Sequence, residues 1–132
     1  MDPQPIDDVI ETLKQDYARF PQAQTYALYA DDVYFKDPLN QFRGVRRYQE
    51  MIGSLQQWLP GMKLDLHEIR PQSATSLLSQ WTLSWTVPLP WHPRPRIDGW
   101  TVMELNEQGL IGSHVDGWKC TRWDVVKQVF WG

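Results

Sequence analysis

The spacing of hydrophobic positions changes near residue 61. Before that point, apolar side chains recur every three or four residues, which predicts amphipathic helices over residues 6–20 and 45–58. After it, apolar and polar residues alternate. This alternation predicts strands over residues 62–67, 77–87, 97–105 and 110–118. Helices followed by a run of antiparallel strands indicate an α+β fold whose sheet buries one face against the helices.

Shorter segments fill the intervals between these elements. Residues 22–29 predict a second, short helix, and the β-forming residues 33–36 predict a short strand. Prolines make residues 88–95 a loop, because proline cannot donate to a sheet ladder, and residues 106–109 predict a hairpin turn. The last apolar positions, within residues 123–131, predict a C-terminal helix.

Length and charge limit the class of protein. The 132 residues suffice for one domain over residues 1–132, and eight tryptophans must shape much of its interior. The net charge is −3, and the one basic cluster is Arg43, Arg46 and Arg47. Nucleic-acid binders usually carry an excess of positive charge on one face. We therefore expect no nucleic-acid partner.

Cysteine usage and hydropathy bear on the cellular setting. Cys120 is the only cysteine, so no internal disulfide can form, and a reducing compartment is indicated. No segment approaches the roughly 18 apolar residues of a membrane span, and the first residues are acidic rather than apolar. We expect a cytoplasmic protein without a membrane partner.

Two segments resemble a known superfamily. They are YADDVYFKDPLNQFRGVRRY, residues 29–48, and WTVMELNEQGLIGSHVDGW, residues 100–118. Both are similar to segments of the nuclear transport factor 2-like superfamily, which includes ketosteroid isomerases, scytalone dehydratase and SnoaL-type polyketide cyclases. More narrowly, the chain resembles an uncharacterised family of this superfamily found in cyanobacteria and plants. The resemblance implies a cone-shaped, strongly curved antiparallel sheet that wraps around the N-terminal helices and encloses a cavity.

The resemblance to the ketosteroid isomerases implies roles for three residues. Asp37 corresponds to their general base, with a turn-forming role before Pro38 as the alternative. Tyr17 resembles their oxyanion-donating tyrosine, or is a member of the apolar helix stripe whose hydroxyl reaches the surface. Their protonated aspartic acid is replaced here by Thr101, a weaker acid, which argues against true ketosteroid isomerase activity.

His114 and Asp116 are two residues apart on the last predicted strand, so they share a face with Trp118. By the resemblance, that face lines the cavity. A histidine and an aspartate there are costly unless they are paired or functional. We expect His114 to form an acid–base pair with Asp37 or Asp116, or alternatively a structural hydrogen bond that orders the sheet.

Other residues are candidates for contact with a ligand. Thr101 and Met103 share a strand face that the resemblance turns toward the cavity. Trp85 is a further candidate, although the pattern leaves open whether Trp81 and Trp85 line the cavity or the opposite sheet face. Trp100 alternates with Thr101, so we expect it to point away from the cavity.

Three functions are compatible with these residues. The first is a domain that binds a small apolar or amphipathic molecule in an internal cavity, or that acts as an interaction domain. The second is a cofactor-free isomerase, dehydratase or cyclase with Asp37 as general base and His114 or Tyr17 as acid or oxyanion donor. The third is a non-catalytic module that assembles as a homodimer through the outer sheet face. Without zinc spacing or a phosphate-binding loop, we expect no metal and no cofactor.

Overall fold

The computed structural model describes residues 6–131, which contain three α-helices and six β-strands. The elements in chain order are α1 (Ile6–Arg19), β1 (Tyr29–Lys36), β2 (Gln41–Arg43), α2 (Val45–Trp58), β3 (Lys63–Pro71), β4 (Ser76–Ser84), β5 (Arg96–Leu105), β6 (Ile111–Trp118) and α3 (Arg122–Trp131). A short 3-10 helix, Tyr26–Leu28, lies between α1 and β1. Residues 1–5 and 132 of the expected domain lie outside the described residues.

The six strands form one curved sheet with the order β2-β1-β6-β5-β4-β3. Neighbouring strands are antiparallel except β1 and β6, which run parallel. Strands β3 to β6 follow one another as a meander, and the meander brings β6 beside β1. The predicted α+β class is confirmed, and the sheet is mixed rather than wholly antiparallel.

The prediction of an α-helix over residues 22–29 is wrong, since the segment contains only the short 3-10 helix. Most of this segment is a loop that the buried carboxylate of Asp16 ties to the end of α1. Asp16 accepts hydrogen bonds from the backbone N–H of Thr25 at 3.0 Å and from its hydroxyl at 2.8 Å. Tyr29 already belongs to β1, opposite Ile111 of β6. These long-range contacts override the local helical preference.

The remaining differences concern one short strand and the ends of others, such as β3, which extends four residues past its predicted end to Pro71. β1 begins four residues before the predicted strand, because Asp31 and Asp32 are exposed residues within an irregular part of the strand instead of ending it. β2 was not predicted, since its three residues alternate over too short a length to give a signal. β4 ends at Ser84, three residues earlier than expected.

The core lies between the helices and the inner face of the sheet. Along β5, Ile97, Thr101 and Met103 are buried while the alternate residues are exposed or half-buried, as a one-sided strand requires. Val9 and Leu13 of α1 are buried in the same core. Each aliphatic side chain buried in this way stabilises the fold by about 2 kcal/mol. None of the helices within residues 6–131 combines the length and the apolar character needed to cross a membrane.

Candidate functional site

A cavity of about 330 Å³ lies between the helices and the inner face of the sheet. Its wall consists mainly of apolar and aromatic side chains, among them Leu13, Ile52, Trp81, Trp85, Met103 and Trp118. The structure therefore places Trp81 and Trp85 on the inner face, which the alternation alone had left open. Trp100 lies on the outer face and is 36% exposed.

Four polar side chains of the cavity wall, together with Ser79, form what we call the inner polar cluster: Tyr17, Ser79, Thr101, His114 and Asp116. The Thr101 hydroxyl donates to Asp116 Oδ1 at 2.6 Å, and His114 Nε2 donates to the same oxygen at 2.9 Å. The hydroxyls of Tyr17 and Ser79 are hydrogen-bonded at 2.7 Å. Asp116 is thus the shared acceptor of Thr101 and His114.

Strand register brings these side chains together. Ser79 of β4 is directly opposite Thr101 of β5, and Thr101 is directly opposite Asp116 of β6. The three residues therefore form a row across the sheet, with cross-strand neighbours about 5 Å apart. His114 is two residues from Asp116 on the same face of β6, and Tyr17 reaches the row from α1.

The Trp81 indole N–H extends the cluster by donating to the Thr101 hydroxyl at 2.8 Å. Trp81 lies opposite Gly99 in the β4–β5 pairing, and its ring covers that residue. A Cβ atom at position 99 would overlap the indole ring, so only glycine leaves room for it. Thr101 therefore accepts from Trp81 while it donates to Asp116.

Aromatic rings surround His114. The ring centroids of Tyr29, Phe35 and Tyr48 lie 6.3, 5.0 and 5.5 Å from that of His114. The imidazole side chain is 8% exposed. Its Nδ1 is a buried polar atom for which residues 6–131 supply no hydrogen-bond partner. With Nε2 bonded to Asp116, Nδ1 is the ring nitrogen that is left for a ligand to contact.

Burial keeps the phenols of this wall protonated. Desolvation raises the pKa of Tyr17 to about 12, and the nearby Asp116 carboxylate acts in the same direction. Burial also raises the pKa of Tyr29 and of Tyr48 above the usual value for tyrosine. At neutral pH, Tyr17 is therefore a neutral hydrogen-bond donor beside the carboxylate.

Asp37 borders the cavity, but its carboxylate is engaged in a turn. Asp37 Oδ1 accepts hydrogen bonds from the backbone N–H of Leu39 at 2.8 Å and of Asn40 at 2.5 Å. The side-chain amide of Asn40 donates to both carboxylate oxygens at 3.2 Å. This is the geometry of an aspartate that closes a turn before a proline. The carboxylate paired with His114 is Asp116.

Ser79 and Trp81 belong to the site although the sequence analysis did not assign them to it. Their alternation on β4 places them on one face, but the choice of face depends on the register with β5. The position opposite Thr101 is the signal that identifies Ser79, and it exists only once that register is known. Within residues 6–131, no three histidine, cysteine, aspartate or glutamate side chains come together as a metal site.

Comparison with solved structures shows the fold. A putative SnoaL-like polyketide cyclase from Jannaschia sp. matches with a TM-score of 0.74 and 12% identity, covering 100% of this chain and 99% of that chain. An epoxide hydrolase from M. tuberculosis, described as LEH-like, matches with a TM-score of 0.69 and 18% identity, covering 92% of this chain and 86% of that chain.

A nuclear transport factor 2-like protein from Anabaena variabilis gives a TM-score of 0.65 at 12% identity, with 88% of this chain and 87% of that chain covered. The fold is therefore the nuclear transport factor 2-like and SnoaL-like fold that the two sequence segments resemble. No curated protein matches the sequence. A family model described as "Uncharacterized conserved protein (DUF2358)" matches residues 7–114, and the chain belongs to that family.

Proposed function

We propose that the cavity binds a small, mostly apolar molecule that carries one hydrogen-bond donor, such as a hydroxyl group. The observation that carries this proposal is the position of Asp116, a carboxylate in the wall of a mainly apolar cavity. Both hydrogen bonds that it accepts from the described residues fall on Oδ1. Oδ2 is the oxygen that a ligand donor would meet.

The size and lining of the cavity support this proposal. Small-molecule sites have volumes of about 300–1,000 Å³, and the cavity lies at the lower end of that range. Trp85, Met103 and Trp118 offer flat or adaptable apolar surface to a ring system. One polar group in such a wall fixes the orientation of a ligand, while the apolar surface supplies most of the affinity.

Calorimetric titration with naphthalene and 2-naphthol tests the proposal, because the two probes differ by one hydroxyl donor. A hydrogen bond to a charged acceptor contributes about 1.5–3 kcal/mol, so the wild type should bind 2-naphthol at least about tenfold more tightly than naphthalene. Asp116→Asn removes the charge and should lose most of this preference. Glu104→Gln makes the same chemical change on the exposed side of β5 and should keep it.

Equal binding of the two probes by the wild type would contradict the proposal. So would a preference for 2-naphthol that Asp116→Asn retains, since the donor would then meet another acceptor. Native mass spectrometry of the protein purified from its own source complements the titration, because it reports any retained compound together with the oligomeric mass.

The hydrogen-bonded pair of His114 and Asp116 favours a second function, proton transfer without a cofactor. Asp116 would take a proton from the ligand, and His114 would hold the carboxylate in place through the 2.9 Å hydrogen bond. Tyr17, protonated at neutral pH because its pKa is about 12, would donate to the oxygen on which negative charge develops. Asp37 is the alternative base.

The isomerisation of 3-cyclohexenone to the conjugated 2-cyclohexenone tests this second function, and the ultraviolet absorbance of the product measures its rate. General-base catalysis contributes about 10²–10⁴-fold, so Asp116→Asn should lower any isomerisation rate by at least about a hundredfold. Asp37→Asn keeps the turn and should stay within about twofold of the wild type. The opposite order of the two variants would make Asp37 the base and would contradict the assignment of Asp116.

A further inference from the structure

Exposed aromatic side chains are concentrated beside α3. Seven large hydrophobic side chains are exposed among the described residues, and four of them lie on α3 or on the loop that contacts it. We call these four the aromatic face: Trp91, Trp123, Phe130 and Trp131. Between 57% and 76% of each of these residues is exposed. Such a concentration of apolar surface marks an interaction site on a protein.

The orientation of α3 turns the aromatic face outward. Trp123, Lys127, Phe130 and Trp131 are spaced at i, i+4, i+7 and i+8, so they follow one side of the helix. In an ordinary globular helix this spacing marks the side that faces the core. Here α3 has no buried residue, and the stripe that it presents to solvent is aromatic with one lysine.

Contacts on other sides of α3 hold the helix in this orientation. The Gln128 side chain exchanges hydrogen bonds of 2.7 and 2.9 Å with the backbone of Arg96 at the start of β5. The Trp91 indole N–H donates to the Val129 carbonyl at 2.9 Å, and its ring lies 6.3 Å from that of Phe130. The aromatic face is therefore a built surface rather than a loose end of the chain.

The two segments that carry the aromatic face are rich in basic residues. Residues 91–98 and 119–131 contain five basic and two acidic side chains, although the chain as a whole has a net charge of −3. The five basic side chains are all exposed: Arg94, Arg96, Lys119, Arg122 and Lys127. In a symmetric contact between two copies of this chain, these like charges would oppose one another. A negatively charged partner complements them.

We propose that the aromatic face docks on the surface of a lipid bilayer that contains anionic headgroups. Tryptophan and phenylalanine rings favour the boundary between headgroups and acyl chains, where the ring leaves water and the indole N–H stays hydrated. A basic side chain near an anionic surface strengthens binding about fivefold. This mode needs no spanning segment, because α3 would lie in the plane of the interface. The proposal departs from the expectation of no membrane partner, which rested on the lack of a spanning run and of an apolar N-terminal segment.

Docking would bring the cavity close to the bilayer. Arg122 and Val125 of α3 are part of the cavity wall, so the helix that meets the surface also borders the site. The docking proposal stands on the aromatic and basic side chains alone. It does not depend on what the cavity binds.

Flotation with vesicles tests the proposal without any cavity ligand. The wild type should float with vesicles of phosphatidylcholine containing about 30% phosphatidylglycerol, far less with pure phosphatidylcholine, and less at high salt. The triple variant Trp123→Ala, Phe130→Ala, Trp131→Ala should bind at least about tenfold more weakly. These three side chains are exposed, so circular dichroism and thermal unfolding should show that the variant still folds.

A pair of charge reversals separates docking from a general effect of net charge. Lys127 lies between the aromatic residues of α3, so Lys127→Glu should weaken vesicle binding by about fivefold or more. Lys14→Glu changes the net charge equally but lies on α1, where it is half-exposed, and should bind within about twofold of the wild type.

Three results would overturn the proposal: no flotation of the wild type, equal flotation of the triple variant, or equal binding to both kinds of vesicle. If the wild type does not float and the triple variant converts a dimer to a monomer, the aromatic face is an interface between copies instead. A failed naphthol titration with intact flotation would remove only the proposed cavity ligand, and the reverse result would remove only the docking.

Discussion

Within residues 6–131, two groups of a histidine, a threonine and an aspartate are joined by hydrogen bonds, and they lie on opposite faces of one sheet. In the inner polar cluster the carboxylate is central, because Asp116 Oδ1 accepts from both Thr101 and His114. His114 and Thr101 are buried, and the three residues border the cavity. Within residues 6–131, both hydrogen bonds to this carboxylate fall on Oδ1, which leaves Oδ2 for a ligand.

The second group, which we call the outer polar cluster, consists of His67, Thr82 and Asp98. Here the threonine is central, since the Thr82 hydroxyl donates to Asp98 Oδ1 at 2.5 Å and so accepts from His67 Nε2 at 2.7 Å. Thr82 is 2% exposed, whereas His67 and Asp98 are exposed on the face turned away from the cavity.

The comparison shows that residue types alone do not define a site. A half-buried carboxylate that accepts from two buried donors has a strong field, because its surroundings are of low polarity, and it keeps one oxygen for a ligand. A central hydroxyl that already donates one hydrogen bond and accepts another has little capacity left to bind a ligand. Water also weakens the contacts of its exposed partners. The burial of the partners and the identity of the central group therefore distinguish a candidate site from a structural contact.

The largest expected effect comes from replacing the threonine of each cluster with valine, which has a similar shape and no hydroxyl. Thr101→Val leaves the buried Trp81 indole N–H without a partner and removes a donor from Asp116, so it should destabilise the fold by about 3 kcal/mol. Thr82→Val leaves partners that water can reach, and it should cost under about 1 kcal/mol. Urea unfolding of both variants measures the difference.

Equal losses from the two valine substitutions would break the comparison. They would mean that the cost comes from disturbing buried β-strand packing, since both threonines are 2% exposed, and not from the partners left unpaired. The double variant with Trp81→Phe distinguishes these causes. Phenylalanine has no N–H to leave unsatisfied, so the further loss caused by Thr101→Val should be smaller in that background.

Raising the pH into the alkaline range should lower the free energy of unfolding by about 2 kcal/mol, because a buried phenol on the inner face of the sheet resists ionisation. The pKa of Tyr17 is raised from 10.0 to about 12, so above pH 10 the unfolded chain releases the phenolic proton while the folded chain keeps it. The folded state then binds more protons, and stability falls as the pH rises from about 10 to about 12. Burial raises the pKa of Tyr29 and Tyr48 too, and they add to the loss.

Tyr17→Phe isolates the contribution of that one phenol. Between about pH 9 and pH 11.5, the variant should lose about 2 kcal/mol less stability than the wild type, as measured by urea unfolding. Identical slopes would show that Tyr17 ionises as readily in the folded chain as in the unfolded one. The outer polar cluster contains no tyrosine, so Thr82→Val should leave the slope unchanged.

Periodicity was enough to predict the α+β class and both long helices, and it placed His114 and Asp116 on one face of the last strand. These features depend on contacts within one element, such as the two-residue spacing of His114 and Asp116 on β6. The parallel pairing of β1 with β6 could not be predicted, because it joins residues about 80 positions apart in sequence. Ser79 was missed for the same reason, since only register places it opposite Thr101.

Local propensity failed where a distant side chain determines the backbone path. The segment over residues 22–29 reads as helical, but hydrogen bonds from Thr25 to the buried Asp16 draw it into a loop. The spacing of apolar residues within residues 123–131 predicts a helix, and α3 confirms it. Its aromatic stripe faces solvent because Gln128, the Val129 carbonyl and Val125, which lie on other sides of the helix, join α3 to the rest of the chain.

Replacing the two histidines with leucine should have a smaller effect, of about 1–2 kcal/mol for His114 and under about 0.5 kcal/mol for His67. His114→Leu removes one of the two donors to Asp116 and loses the ring contacts with Tyr29, Phe35 and Tyr48. His67→Leu removes an exposed contact with Thr82. Thermal unfolding measures both, and a larger loss from His67→Leu would contradict the assignment of the buried network to the inner face.

The smallest expected effect is that of Asp37→Asn, which sharpens the comparison by asking whether a carboxylate beside the cavity must belong to its chemistry. An asparagine Oδ1 can accept the same hydrogen bonds from the backbone of Leu39 and Asn40, so stability should change by less than about 0.5 kcal/mol. Asp37→Ala removes the acceptor and should cost about 1 kcal/mol. Selectivity for 2-naphthol should persist in both variants. A preference lost in Asp37→Asn but kept in Asp116→Asn would move the site to the turn, and the inner polar cluster would then be structural like the outer one.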